Sequence, residues 1–168
     1  VLSGGVYLNE TTGAAVLATR DDAHAIAVLS RDYIEDGLIW RYTPIRVLAA
    51  IHSRTTNVAV VHHHGGLHGF GIMQYGETTA HLVLLGVQPT QRRKGLGRHL
   101  VDWLEGSAKF AGVARIDVEC RADNPGAIAF YRTLGYRIQG VVSRYYAGRI
   151  DAVRLSKQLA QPVRRAAQ

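Results

Sequence analysis

The segment from Thr79 to Arg121 constrains the fold more than any other part of the chain. It opens with an apolar run that ends at Val87-Gln88-Pro89, and a basic loop follows, Gln91-Arg92-Arg93-Lys94-Gly95-Leu96-Gly97. Leu96, Leu100, Trp103 or Leu104, Ala108 and Ala111 then recur at helical spacing, with Gly112 as a C-terminal stop. From Val113 to Arg121 the pattern alternates strictly. Ala114, Ile116, Val118 and Cys120 fall on one face, and Arg115, Asp117, Glu119 and Arg121 on the other. A strand, a helix and a strand in so short a span predict a right-handed crossover between parallel strands.

The flanking segments predict strands of the other kind. Ala14 to Thr19 reads as a first strand, and Asp21 and Asp22 open a helix expected to reach about Asp36, where Gly37 ends it. Thr43-Pro44 starts a second helix, with Ile45, Leu48 and Ile51 or His52 as its apolar stripe. Asn57 to His63 and Leu67 to Tyr75 form a hairpin about Gly65-Gly66, and a turn at 76–78 leads into Thr79 to Val87. Further on, Asn124 caps a helix whose first residue is Pro125, whose stop is Gly135, and whose stripe is Ala127, Phe130, Tyr131 and Leu134. Tyr136 to Tyr146 and Ile150 to Leu159 close the chain as a strand pair. The expected fold class is α/β, an α+β mixed sheet, mostly antiparallel with one parallel pair and flanking helices. One domain is expected over 1–168, with 1–12 and 161–168 as flexible ends.

Charge supplies the first functional hint. Lys and Arg number 20 and Asp and Glu 13 in 168 residues, a net +7, which favours an anionic partner. Four of the cations, Arg92, Arg93, Lys94 and Arg98, crowd the basic loop. A helix beginning there leaves backbone N–H groups unpaired at the positive end of its dipole, and glycines let a phosphate come close. The loop is not a Walker motif, because no Gly-Lys-Ser/Thr follows, and it lacks the third glycine of the dinucleotide fingerprint. Nucleic acid is disfavoured as the partner, since the basic residues gather at one small-ligand loop and at the tail, with no nucleic-acid motif. No apolar run is long enough for a membrane helix. Val1-Leu2-Ser3-Gly4-Gly5 lacks the segments of a signal peptide, and Cys120 is the single cysteine, so a cytoplasmic protein is expected.

Two motifs resemble one family. Val87-Gln88-Pro89-Thr90-Gln91-Arg92-Arg93-Lys94-Gly95-Leu96-Gly97 is similar to the acetyl-CoA-binding motif of the Gcn5-related N-acetyltransferase (GNAT) superfamily. Asn124-Pro125-Gly126-Ala127-Ile128-Ala129-Phe130-Tyr131-Arg132-Thr133-Leu134-Gly135-Tyr136 resembles its next motif, at the family's spacing. The resemblance is specific from about Leu82 to Leu159 and is nearest in motif to the ribosomal-protein alanine N-acetyltransferase-like members. It implies a splayed parallel pair that admits the pantetheine arm of acetyl-CoA. Arg92, Arg93, Lys94, Gly95, Leu96, Gly97 and Arg98 would hold the pyrophosphate. Backbone groups of Leu85 and Val87 would pair with the pantetheine amides, an N–H near Val87 would face the thioester oxygen, and Asn124, Ala127 and Phe130 would complete the cofactor side. Gly86, inside an apolar run, marks the expected strand bulge.

The implied reaction moves an acetyl group to a primary amine, on a peptide or protein N-terminus or on a small molecule. The amine must lose a proton before it attacks, and Glu119 is the leading base. Glu77 and His81 are reserves. Tyr131 is the leading acid for the departing thiolate, since a phenol with a pKa of about 10 keeps its proton at neutral pH. Tyr33, Glu35, Asp36, Trp40 and Tyr42 suit a cationic amine, and Tyr145 and Tyr146 either line an acceptor groove or form an edge-strand pair. His62, His63, His64 and His68 lack the companions of a metal site, so no metal is expected. In the alternation, His62 and His64 share one strand face and His63 takes the other. Cys120 reads as a buried inert thiol. The alternative function is a non-catalytic acyl-CoA sensor or scaffold. Either form would be a monomer or a homodimer.

Overall fold

The fold was taken from a computed structural model, which describes residues 13–160. The two expected flexible ends lie outside the described residues. The elements, in chain order, are β1 (Ala15–Leu17), α1 (Ala23–Tyr33), α2 (Pro44–His52), β2 (Thr56–His63), β3 (Gly66–Tyr75), β4 (Thr79–Val87), α3 (Leu96–Phe110), β5 (Arg115–Arg121), α4 (Pro125–Thr133), β6 (Arg137–Tyr146) and β7 (Ile150–Gln158). The strands form one sheet in the order β1-β2-β3-β4-β5-β7-β6. Every neighbouring pair is antiparallel except β4 and β5, which α3 joins as a crossover.

Each face of the sheet has its own core. Leu96, Leu100, Leu104 and Ala108 of α3 pack with Tyr131 of α4 against Met73, Leu82, Ile116, Val118 and Leu155. Ile26, Ala27 and Leu29 of α1 pack with Val47 of α2 against Val58, Val60, Phe70, Ile72 and Leu84. The second layer reaches only β2, β3 and β4, so the polar face of β5 and β7 carries no helix. Two helical expectations shift in register. Val47, not Ile45, anchors α2, and Ile45 is 79% exposed. Helix α1 stops at Tyr33 rather than Asp36, because Glu35 turns inward and its N–H bonds back to the Ser30 carbonyl at 2.8 Å.

The parallel pair is short. It holds only Thr79 with Arg115, Ala80 with Ile116 and His81 with Asp117, after which the strands separate. The bulge that accompanies this separation lies at Val83, not at Gly86. Ile72 faces Leu84 and Met73 faces Leu82, so Val83 is the extra residue on β4. One inserted residue flips the side-chain parity. Leu82 therefore packs under α3 while Leu84 packs under α1.

Gly86 sits in regular register opposite Phe70. A Cβ there would meet Phe70 Cε1 at 2.7 Å and Ile34 Cδ1 at 3.1 Å, so close packing excludes a side chain. Gly86→Ala should cost about 1–3 kcal/mol by overpacking, read from urea unfolding. Adding Phe70→Leu should return part of that loss. A double variant whose losses simply summed would refute the steric cause.

Candidate active site

The open side of β4 is where backbone groups become available. The Gln88 N–H donates to the His68 carbonyl at 2.8 Å, which makes that residue pair a hydrogen-bonded one. Such pairs alternate along an antiparallel ladder, so Gly86 also bonds toward β3, while the N–H and C=O of Leu85 and Val87 turn toward the gap beside β5. The Val87 carbonyl there accepts from Arg92 Nε at 3.2 Å. The Arg92 guanidinium also lies over the Tyr33 ring, 5.7 Å from its centroid.

The basic loop runs from this gap to α3 through one tight helical turn, Pro89–Gln91. Arg93 and Gly95 take positive φ values, 62° and 83°, which curl the chain into the helix. Gly95 is the N-cap of α3 and offers no side chain to its first N–H groups. A Cβ on it would meet nothing within 4 Å, so the space above these donors is open. Arg92, Arg93, Lys94 and Arg98 are exposed around them, while Leu96 anchors the helix in the core. Donors, positive charge and room fit an anionic phosphate. Gly97 has a different reason. A Cβ there would stand 3.2 Å from Phe130 Cζ and 3.9 Å from Val87 Cγ2, so Gly97 lets α4 close on the end of the gap. Asn124 Oδ1 accepts from the Ala127 N–H at 3.1 Å and caps α4, which fixes Ala127 and Phe130 beside the gap.

Glu119 and Tyr131 lie on opposite faces of β5. The Glu119 side chain is 7% exposed, and both its oxygens are engaged. Oε2 is hydrogen-bonded to His81 Nε2, and Oε1 accepts from Arg154 Nε at 2.9 Å. Burial pushes this carboxyl up, but His81 and then Arg154 outweigh it and hold it below the usual carboxylate range. On the other face Tyr131 is 6% exposed. Burial, reinforced by Cys120 and Tyr146, pushes its phenol well above the ordinary range, so it keeps its proton. Between the two, the Tyr146 hydroxyl donates to the Glu119 carbonyl at 3.1 Å. His81 thus moves from reserve to partner. Arg154 escaped the sequence reading, although a basic residue alternating on a closing strand is the kind of signal that marks it. Glu77 is exposed in the β3–β4 turn, at the far end of β4 from the gap.

A polar cavity of about 510 Å³ extends from Glu119 and His81 along the uncovered face, past Asp117, Arg115, Ser156 and Gln139. The loop between α1 and α2 lies at the other end of β5, where Arg121 reaches it. Glu35, expected to meet an amine, is instead 8% exposed and holds the loop's own backbone. It accepts from Ser30 Oγ at 2.8 Å, the Arg41 N–H at 2.7 Å and the Tyr42 N–H at 3.2 Å. Arg121 donates to the Asp36 carbonyl at 2.9 Å and Arg149 to the Gly37 carbonyl at 3.3 Å, so β5 and the β6–β7 turn both grip the loop. Tyr145 is 44% exposed and stands edge-on to Tyr146, ring centroids 4.9 Å apart.

The remaining candidates are structural. Burial pushes the Cys120 thiol up to about 12, which leaves it protonated and unreactive at neutral pH. His62 pairs with Asp22 at 2.6 Å. His64 leaves the strand alternation for a turn with φ 49°, and its ring meets that of His63 at a 59° tilt, centroids 3.9 Å apart. No group of metal-binding side chains assembles among the described residues. No helix among them is long and apolar enough to cross a membrane. Glu35→Gln should destabilise the protein by about 1–3 kcal/mol, because one acceptor oxygen becomes a donor facing donors. Hydrogen exchange at the Arg41 and Tyr42 amides should quicken with it, and unchanged exchange would refute the role.

Comparison with known proteins agrees with this geometry. The family model described as Acetyltransferase (GNAT) family matches residues 18–136. A [ribosomal protein bS18]-alanine N-acetyltransferase of Escherichia coli K12 is 37% identical over 92 residues, which span 53% of this chain and 62% of that protein. The catalytic subunit of the N-terminal acetyltransferase B complex of Arabidopsis thaliana is 36% identical over 100 residues, spanning 59% of this chain and 55% of that protein. Among solved structures, Ard1 from Thermoplasma volcanium superposes with a TM-score of 0.79 at 22% identity, covering 89% of this chain and 99% of its own. A Salmonella typhimurium acetyltransferase solved with its cofactor acetyl-CoA gives 0.74 at 21% identity, covering 92% and 98%. These likenesses carry the fold, and the family match over most of the sheet carries the kinship: the chain belongs to the acetyltransferase (GNAT) family.

Proposed function

We propose that the protein is an acetyl-CoA-dependent N-acetyltransferase whose acceptor is a primary amine, with a peptide or protein N-terminus ahead of a small molecule. The observation that carries this reading is the abrupt end of the β4–β5 pairing. It leaves a gap with backbone donors and acceptors along one wall, a glycine-led helix start at one end, and the Glu119–His81 pair at the other. Acetyl-CoA would supply the acetyl group as an activated thioester.

The residues of the chain divide the remaining work. Arg92, Arg93, Lys94, Arg98 and the N–H groups of Leu96 and Gly97 bind the pyrophosphate, with Gly95 giving access. Leu85 and Val87 orient the pantetheine arm through their backbones, and Asn124, Ala127 and Phe130 form the opposite wall. Since the Val87 carbonyl is bonded to Arg92, binding trades that contact for one to the ligand. Glu119 and His81 together take the proton from the attacking amine. A carboxylate held below its usual range is a weak base alone, and the imidazole gives the pair a nitrogen that can carry the proton. The new C–N bond forms as the C–S bond breaks, and the Tyr131 hydroxyl protonates the leaving sulfur. Such a reaction suits the cytoplasm and needs only a monomer or a homodimer.

The test is thiol release from acetyl-CoA across peptides with free N-termini, matched peptides with blocked N-termini and an internal lysine, and small amines. Release should depend on the acceptor and be greatest with free N-termini. Glu119→Gln and Tyr131→Phe should each lower turnover about a hundredfold while acetyl-CoA binding persists. Full turnover in either variant would remove that residue from the mechanism. Tight acetyl-CoA binding with no release on any acceptor would make the protein an acyl-CoA sensor instead.

A further inference from the structure

Arg154 is the feature that the reading above leaves unused. It lies on β7 directly opposite Glu119 in the strand register, so the two side chains form a cross-strand pair on the uncovered face. Its Nε donates to Glu119 Oε1 at 2.9 Å, while His81 holds Oε2. The burial is lopsided, since the carboxylate is 7% exposed and the guanidinium 46%. A carboxylate gripped on one oxygen can still turn about its last side-chain bond. Gripped on both, from β4 on one side and β7 on the other, it has one orientation. The guanidinium has no other hydrogen-bond partner among the described residues, and it lines the polar cavity that leads to the pair. A surface ion pair of this kind adds little stability. What it supplies is a fixed orientation and a permanent positive charge beside the carboxylate.

We propose that Arg154 is a positioning residue for acetyl transfer, fixing the plane of Glu119 so that the carboxylate meets His81 in the one orientation that accepts the amine proton. This rests on the reading of Glu119 and His81 as the proton acceptor. The charged and titratable groups that face Glu119 come from four elements: His81 on β4, Asp117 on β5, Tyr145 and Tyr146 on β6, and Arg154 on β7, with Arg41 beyond Tyr145. Among these Arg154 is the permanent cation in contact. Removing it takes a positive charge away from the pair, which then holds a proton to higher pH. Activity should therefore fall earlier on acidification.

The experiment compares wild type, Arg154→Gln, Arg154→Lys and Glu119→Gln as full chains labelled with carboxyl-¹³C glutamate. The Glu119 carbon is titrated by NMR, and acetyl transfer to the best acceptor peptide is followed against pH. In Arg154→Gln the Glu119 titration should rise by about half a pH unit or more, and the acid limb of turnover should move the same way. Turnover should drop about tenfold with the KM for acetyl-CoA unchanged, and Arg154→Lys should recover part of both effects. An unmoved Glu119 titration in Arg154→Gln, or a loss of turnover with no shift of the acid limb, would overturn the proposal. If Glu119→Gln keeps wild-type turnover, the base reading itself has failed. The titration in Arg154→Gln still reports separately whether Arg154 governs the carboxylate.

Discussion

The architecture of the candidate site depends on a pairing that stops early. Strands β4 and β5 share three residue pairs and then part, although each continues for several residues. Buried backbone groups left without partners are costly, so a gap of this kind persists only where something else fills it or water reaches it. The rest of the sheet makes the gap rigid. Strand β4 keeps its ladder to β3 and β5 keeps its ladder to β7, and the core under α3 and α4 packs one face of both. The Val83 bulge adds the last element by turning Leu82 and Leu84 to opposite cores, so the strand bends away with both side chains buried.

The gap also separates two chemistries that would interfere if mixed. On one face of β5 a carboxylate is held ionised against its burial by an imidazole and a guanidinium. On the other a phenol is held protonated by burial among aromatic rings, with Tyr136 edge-on at 5.4 Å. Glu119 points from β5 to the uncovered face, while Tyr131 is carried by α4, which packs on the opposite face, so the body of the strand stands between the carboxylate and the phenol.

Much of this was legible in the sequence because it is local. The bounds of β4, the Asn124 cap, the glycine that starts α3 and the alternating faces of β5 all follow from spacing and from residue types whose conformations are restricted. What escaped was set by contacts distant in sequence. Gly86 looked like a bulge because a strand glycine often is one, but the reason for it is the ring of Phe70, sixteen positions earlier. Glu35 looked like a surface acid awaiting a cation, and only the fold reveals that its oxygens answer the N–H groups of Arg41 and Tyr42. Ile45 and Val47 are equally apolar, and which one faces inward depends on how α2 sits against α1. Arg154 acquires meaning only through its register with Glu119.

The loop between α1 and α2 is held by its main chain as well as by Trp40 and Tyr42, which pack against the core. Arg121 and Arg149 grip the carbonyls of Asp36 and Gly37, and Glu35 grips the amides of Arg41 and Tyr42. Backbone atoms are common to every amino acid. An exposed side chain such as Ile39, 77% exposed, can therefore be exchanged during evolution while the course of the loop stays constant. A segment anchored in this way can change the surface it presents without rebuilding its own path.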